Sequence, residues 1–90
     1  MSEARHTVLI SNRRGLHARA SAKFVTLASS QAVSLTVEKD GSSVTATSIM
    51  GLMMLGAAMG DTITISAEGD GAESAVAALV QLVEDRFGED

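Results

Sequence analysis

The chain predicts an α+β fold of order βαββαβα, a four-stranded antiparallel sheet with helices packed on one face. Three observations lead there. Four stretches carry alternating or β-branched patterns, at 5–10, 33–39, 43–47 and 62–68. Three further stretches carry helical spacing or helix-start signals, beginning near Ala18, Ser48 and Asp70. Strands that alternate have one face in water, which fits an antiparallel sheet covered on its other face only. A split βαβ arrangement accommodates this order, with the fourth strand inserted between the first and second.

The first strand is "RHTVLI" (5–10), and "SNRRG" (11–15) is a loop by composition. From Ala18 to about Ser29, Ala20, Phe24, Leu27 and Ala28 make one face of a helix. In "VSLTVEK" (33–39), Val33, Leu35 and Val37 alternate with Ser34, Thr36 and Glu38. Asp40-Gly41 follows, a strong hairpin signal, and "SVTAT" (43–47) returns with Val44 and Ala46 inward. Ser48 is the N-cap expected for a short helix through about Leu55, weakened by Gly51 at about 1 kcal/mol relative to alanine. In "TITISAE" (62–68), Ile63, Ile65 and Ala67 face inward. The last helix is predicted from an Asp70 N-cap with Glu73 as its capping-box partner. Its stripe is Ala72, Val76, Leu79, Val83 and Phe87, with Arg86 in the final turn and Gly88 as the C-terminal cap.

Ninety residues make one domain, 1–90, without a linker or internal repeat. Apolar residues are 46% of the chain, the proportion of a globular protein. No apolar run approaches the roughly 20 residues that span a bilayer, and "MSEARHT" lacks the apolar core of a signal peptide. There is no cysteine, hence no disulfide framework or thiolate metal site. A cytoplasmic protein without membrane insertion, metal or cofactor is expected. A net charge of −4 and the absence of Trp and Tyr argue against nucleic-acid binding. The charge is unevenly spread. Arg5, Arg13, Arg14, Arg19 and Lys23 lie in the first quarter, and acids dominate the end, so an anion prefers the N-terminal region.

The chemistry concentrates in "NRRGLHARAS" (12–21). If the first helix begins near Ala18, His17 stands close to its N-cap, beside the free N–H groups of Ala18, Arg19 and Ala20. A helix N-terminus favours anions through those donors and the positive end of the dipole. The same field disfavours imidazolium and leaves a neutral, nucleophilic ring. Gly15 permits a loop conformation that would strain other residues, and the Arg19 guanidinium suits a phosphate. These parts fit a histidine that accepts a phosphoryl group on a ring nitrogen. His6, inside a strand with no such support, is read as structural.

"GLHARAS" before a helix, followed in order by "SIMGLMMLG" and "GDTITISAEGDGAE", resembles the HPr family of the bacterial sugar phosphotransferase system over nearly the whole chain. The resemblance implies an open-faced βαββαβα sandwich. It implies a carrier, not an enzyme, in which His17 takes a phosphoryl group on Nδ1 from phosphorylated enzyme I and passes it to IIA-type proteins or domains, with Arg19 assisting. Most members have proline after that arginine; Ala20 stands here, which bears on the rigidity of the turn and the resting position of Arg19. Ser48 matches a serine that, in some members, an ATP-dependent kinase (HPr kinase/phosphorylase) phosphorylates to lower transfer from enzyme I; it is equally readable as a plain cap. Ile49, Met50, Leu52, Met53 and Met54 exceed what a two-turn helix can bury. Leu52 and Leu55 are expected in the core, Ile49 and Met53 as adaptable partner contacts. A monomer suits a shuttle. Two alternatives are a regulatory docking module, such as an HPr variant in nitrogen or carbon control, and a small-ligand-binding ACT-like domain.

Overall fold

The computed structural model describes residues 3–89; residues 1, 2 and 90, at the ends of the predicted 1–90 domain, lie outside the described residues. The elements run β1 (Glu3–Leu9), α1 (Ala18–Ser29), β2 (Leu35–Lys39), β3 (Ser42–Thr45), α2 (Ile49–Met54), β4 (Thr62–Glu68) and α3 (Ala72–Glu84), followed by a 3-10 turn at Arg86–Gly88. This is the expected βαββαβα order. The sheet is wholly antiparallel with spatial order β1-β4-β2-β3, so β4 does lie between β1 and β2.

Alternation explains the two faces of the sheet. Ala4 and Val8 of β1, Ile63, Ile65 and Ala67 of β4, and Leu35 and Val37 of β2 are buried. They meet Ala20, Phe24 and Ala28 of α1 and Ala72, Ala75, Val76, Leu79, Val80 and Val83 of α3 in one cluster. On the open face, Thr7 and Thr64 share a hydroxyl hydrogen bond of 2.9 Å and Arg5 pairs with Glu38 at 3.2 Å. The β2–β3 hairpin turns at Asp40 (φ 51°) and Gly41 (φ 85°), the two positive φ values that a two-residue turn of matching twist requires. Lys39 Nζ reaches Asp40 at 2.9 Å and Asp61 at 3.8 Å, tying this hairpin to the start of β4.

Strand limits differ from expectation by a few residues. β2 begins at Leu35, leaving Val33 outside it and only half-buried, and β3 ends at Thr45, although Ala46 is buried and donates its N–H to Leu35 O at 2.9 Å. Larger corrections fall at the two ends of α3. Its N-cap is Gly71 (φ 87°), not Asp70, and no side chain caps it, so the capping box does not form. Asp70 lies between two glycines with positive φ, and the turn they make brings Gly69 O within 3.1 Å of the Ala72 N–H. That backbone bond replaces the expected side-chain cap. At the other end α3 stops at Glu84. Arg86 (φ 56°) and Phe87 (φ 55°) are left-handed, so neither belongs to the helix and Gly88 is not its cap. Phe87 is nonetheless buried: the chain reverses and inserts the ring back into the core.

Candidate functional site

The β1–α1 loop is fastened to the α2–β4 loop at several points. Ile10 exchanges two backbone bonds of 2.8 Å with Asp61 and Gly60. Gly15 (φ 63°) packs so closely on Ala57 that a Cβ there would lie 2.3 Å from the carbonyl oxygen. The next residue, Leu16, is buried and donates its N–H to that same oxygen at 3.0 Å. Inside the loop, fully buried Asn12 donates from Nδ2 to Gly15 O at 2.8 Å. The chain therefore enters α1 at a fixed angle, with His17 at the N-cap in extended conformation (φ −74°, ψ 180°).

The His17 ring is contacted on both nitrogens. Nδ1 accepts the Arg19 N–H at 3.3 Å, and Nε2 lies 2.6 Å from Glu89 Oε2. One state satisfies both contacts: the neutral ring with its proton on Nε2 and its lone pair on Nδ1. The first intrahelical bond runs from Ser21 N–H to His17 O at 2.8 Å, so the N–H groups of Ala18, Arg19 and Ala20 precede the helical ladder. The structure thus brings His17 and the three expected backbone donors to one helix start. The Arg19 guanidinium is exposed and makes no hydrogen bond or ion pair among the described residues; the same holds for exposed Arg13 and Arg14. His6 lies in β1, exposed, beside Glu73 and Val76 of α3 and apart from this loop.

Two site residues carried no recognisable local signal in the sequence. Glu89 is 72 positions from His17, and only the left-handed reversal after α3 delivers it. Lys23 Nζ secures that reversal by donating to Phe87 O at 2.7 Å. Asn12 Nδ2 donates a second bond, of 3.1 Å, to Glu89 Oε1. The side chains of His17 and Glu89 are only 14% and 18% exposed. The Glu89 carboxyl is held below the usual carboxylate range, first by the hydrogen bond from His17; burial opposes this, and the Asn12 amide and the Lys23 charge add to it. The helix field foreseen from the sequence is therefore met by a counter-charge on the far edge of the ring.

Ser48 caps α2 as predicted. Its Oγ accepts the Gly51 N–H at 2.9 Å, which satisfies one of the unpaired amides of that helix. Leu52 is fully buried and Leu55 partly so, whereas Ile49 (41%) and Met53 (40%) are exposed, together with Met50, Met54 and Met59. α2 packs on α1, so this apolar surface adjoins the helix that His17 begins. Among the described residues no group of three or more His, Cys, Asp or Glu side chains is placed to hold a metal ion, and no helix is long and apolar enough to cross a membrane.

Residues 4–85 match the family model described as the PTS HPr component phosphorylation site. The phosphocarrier protein HPr of Cupriavidus necator is 45% identical over 85 residues, covering 94% of each chain. The phosphocarrier protein NPr of Shewanella violacea is 38% identical over 89 residues, covering 99% of this chain and 98% of that one. Among solved structures, HPr-C-His from Thermoanaerobacter tengcongensis superposes with a TM-score of 0.89 at 49% identity, covering 100% of this chain and 99% of that one.

Proposed function

Because the chain belongs to the HPr family of phosphocarrier proteins, we propose that it carries a phosphoryl group on Nδ1 of His17, taken from phosphorylated enzyme I and passed to IIA-type proteins or domains. The observation that carries this reading is the His17 ring itself. Its Nδ1 lone pair faces the first amides of α1, while Nε2 is occupied by Glu89. Phosphoryl transfer asks chiefly for alignment and for stabilisation of charge on the equatorial oxygens. The N–H groups of Ala18, Arg19 and Ala20 supply fixed donors for those oxygens. Arg19, exposed and without a side-chain hydrogen bond or ion pair among the described residues, can swing onto them.

The proposal extends to the remaining roles. Residues 1–90 act as one domain and as a monomer, with Ile49 and Met53 meeting donor and acceptor in turn. A phosphate added to Ser48 by a separate ATP-dependent kinase, the HPr kinase/phosphorylase, sits at the N-cap of α2. There it leaves the fold intact and sets about two negative charges beside the docking surface, lowering transfer from enzyme I. Incubation with that kinase and ATP then yields a single phosphoserine, at Ser48.

Incubation with phosphoenolpyruvate and the cognate enzyme I tests the carrier role. One acid-labile phosphate per chain is expected, absent from His17→Ala and present in His6→Ala, with Arg19→Ala labelled more slowly. A chain that takes no phosphate, or that takes it without His17, overturns the proposal. It would then be read as a regulatory module that docks without transfer.

A further inference from the structure

We infer that Glu89, steadied by Asn12, keeps a proton on Nε2 of His17 through both halves of the transfer cycle, so that Nδ1 alone attacks and the phosphorylated ring stays in its cationic, labile form. This rests on the carrier reading and adds to it a positioning pair, Asn12 and Glu89.

The step balances without moving a proton. Before transfer the ring is neutral, with Nε2–H directed at Glu89 Oε2, 2.6 Å away. The Nδ1 lone pair forms the new N–P bond as the donor's phosphoamidate N–P bond breaks and returns its electron pair to the donor nitrogen. The ring then carries one positive charge spread over both nitrogens, and the Glu89 carboxylate faces it across the retained Nε2–H. On discharge the N–P electron pair returns to Nδ1, and the leaving group is the same neutral imidazole that began the cycle. Loss of the Nε2 proton in between would force the ring to leave as imidazolate, a far poorer leaving group. A carboxylate at hydrogen-bond distance opposes that loss.

Asn12 gives the pair its direction. Both hydrogens of its amide are used, one on Gly15 O and one on Glu89 Oε1. Its fully buried Oδ1 has no partner among the described residues. An apolar residue would avoid that orphaned oxygen, so a site chosen for packing alone would not keep an asparagine here. Holding Oε1 leaves Oε2 aimed at the ring. Lys23 of α1 is the charge that acts on Glu89 from a neighbouring element. Arg19 of α1, Arg13 and Arg14 of the loop, and Asp85 and Arg86 of the final turn are exposed, and α2 contains no ionisable side chain.

The test uses the full chain, phosphorylated either by enzyme I or chemically with phosphoramidate. Hydrolysis of phospho-His17 is followed across the neutral pH range, and 15N NMR reads the ring tautomer before phosphorylation. In Glu89→Gln the pH at which the phosphorylated ring loses its Nε2 proton falls by about one unit, and the phosphate becomes several-fold longer-lived above neutrality. The Nδ1–H tautomer also becomes populated in the unmodified protein. Asn12→Ala moves both readouts in the same direction by a smaller amount. Superimposable pH profiles and an unchanged tautomer in Glu89→Gln overturn the inference. Failure of enzyme I to label the wild-type chain counts against the carrier reading instead, since the tautomer and the chemically phosphorylated protein still decide the role of Glu89.

Discussion

In Gly15→Ala the new methyl carbon stands 2.3 Å from Ala57 O and 2.9 Å from Ala58 Cα, both backbone atoms that no side-chain rotation can move aside. Relieving the nearer contact even to a tight 3.0–3.4 Å opens the junction between the two loops by about 0.7–1.1 Å. That displacement loses the 3.0 Å Leu16 N–H bond to Ala57 O in a buried place, at about 1–2 kcal/mol. The left-handed φ of 63° adds about 1 kcal/mol for a residue with a Cβ, and repacking around Leu16 about 1–2 kcal/mol. The expected loss is about 3–5 kcal/mol, a large share of the roughly 5–13 kcal/mol available to a domain of this size. The urea midpoint should fall by about 2 M or more. Transfer from phosphorylated enzyme I should slow by about 10²-fold, because a shift of about 1 Å at the entry to α1 misplaces His17. Gly41→Ala is the control, with φ 85° but nothing within 4 Å of its new Cβ; it should lose only about 1 kcal/mol. If Gly15→Ala lowers the midpoint no further than Gly41→Ala and leaves transfer within about twofold, the close approach to Ala57 does not set the position of His17.

Ser48→Ala should destabilise the protein by about 1 kcal/mol, because Ser48 Oγ accepts the Gly51 N–H. Asp70→Ala should stay within about 0.5 kcal/mol of wild type, because α3 is capped by Gly71 and not by Asp70; urea unfolding of the two variants reads both. The Glu89 carboxyl is held low in the folded chain, first by His17, so its contribution is whole above the unfolded carboxylate range and is lost as pH falls through the folded value. Thermal melts over an acid series should show that loss in wild type and its absence in Glu89→Gln.

Much of the fold was legible because its signals are local. Alternation over 62–68, the Asp40-Gly41 pair and the Ser48 cap each act within a few residues, and each does in the structure what its chemistry predicts. The end of α3 shows where such signals stop. Phe87 follows Val83 by four positions, the spacing of a helical stripe, and both are buried. A left-handed reversal buries the ring as well as another helical turn would, so periodicity does not distinguish them. The N-cap of α3 was misplaced for a related reason: a side-chain capping signal says nothing about a competing backbone bond set up by flanking glycines. The site divides in the same way. His17 at the helix start follows from six adjacent residues, whereas Glu89 reaches it only through the reversal and Asn12 only through burial of the loop.

Ala20, where most of the family carries proline, is answered by the same loop. It is fully buried as the third residue of α1, where an N–H has no intrahelical acceptor. Proline at such a place therefore costs no helical bond and contributes a fixed φ. Here the restraint comes from backbone and side-chain hydrogen bonds. Buried Ser21 donates its N–H to His17 O at 2.8 Å and its Oγ–H to Leu16 O at 3.2 Å, gripping the two residues that lead into the helix. Leu16 is held from the other side by Ala57, and Gly15 by Asn12. A turn fixed at these four points does not need a ring in its backbone to hold the imidazole against the helix start. Alanine also retains an amide hydrogen that proline would remove, so the first turn of α1 keeps three backbone N–H groups ahead of the helical ladder where a proline-bearing turn keeps two.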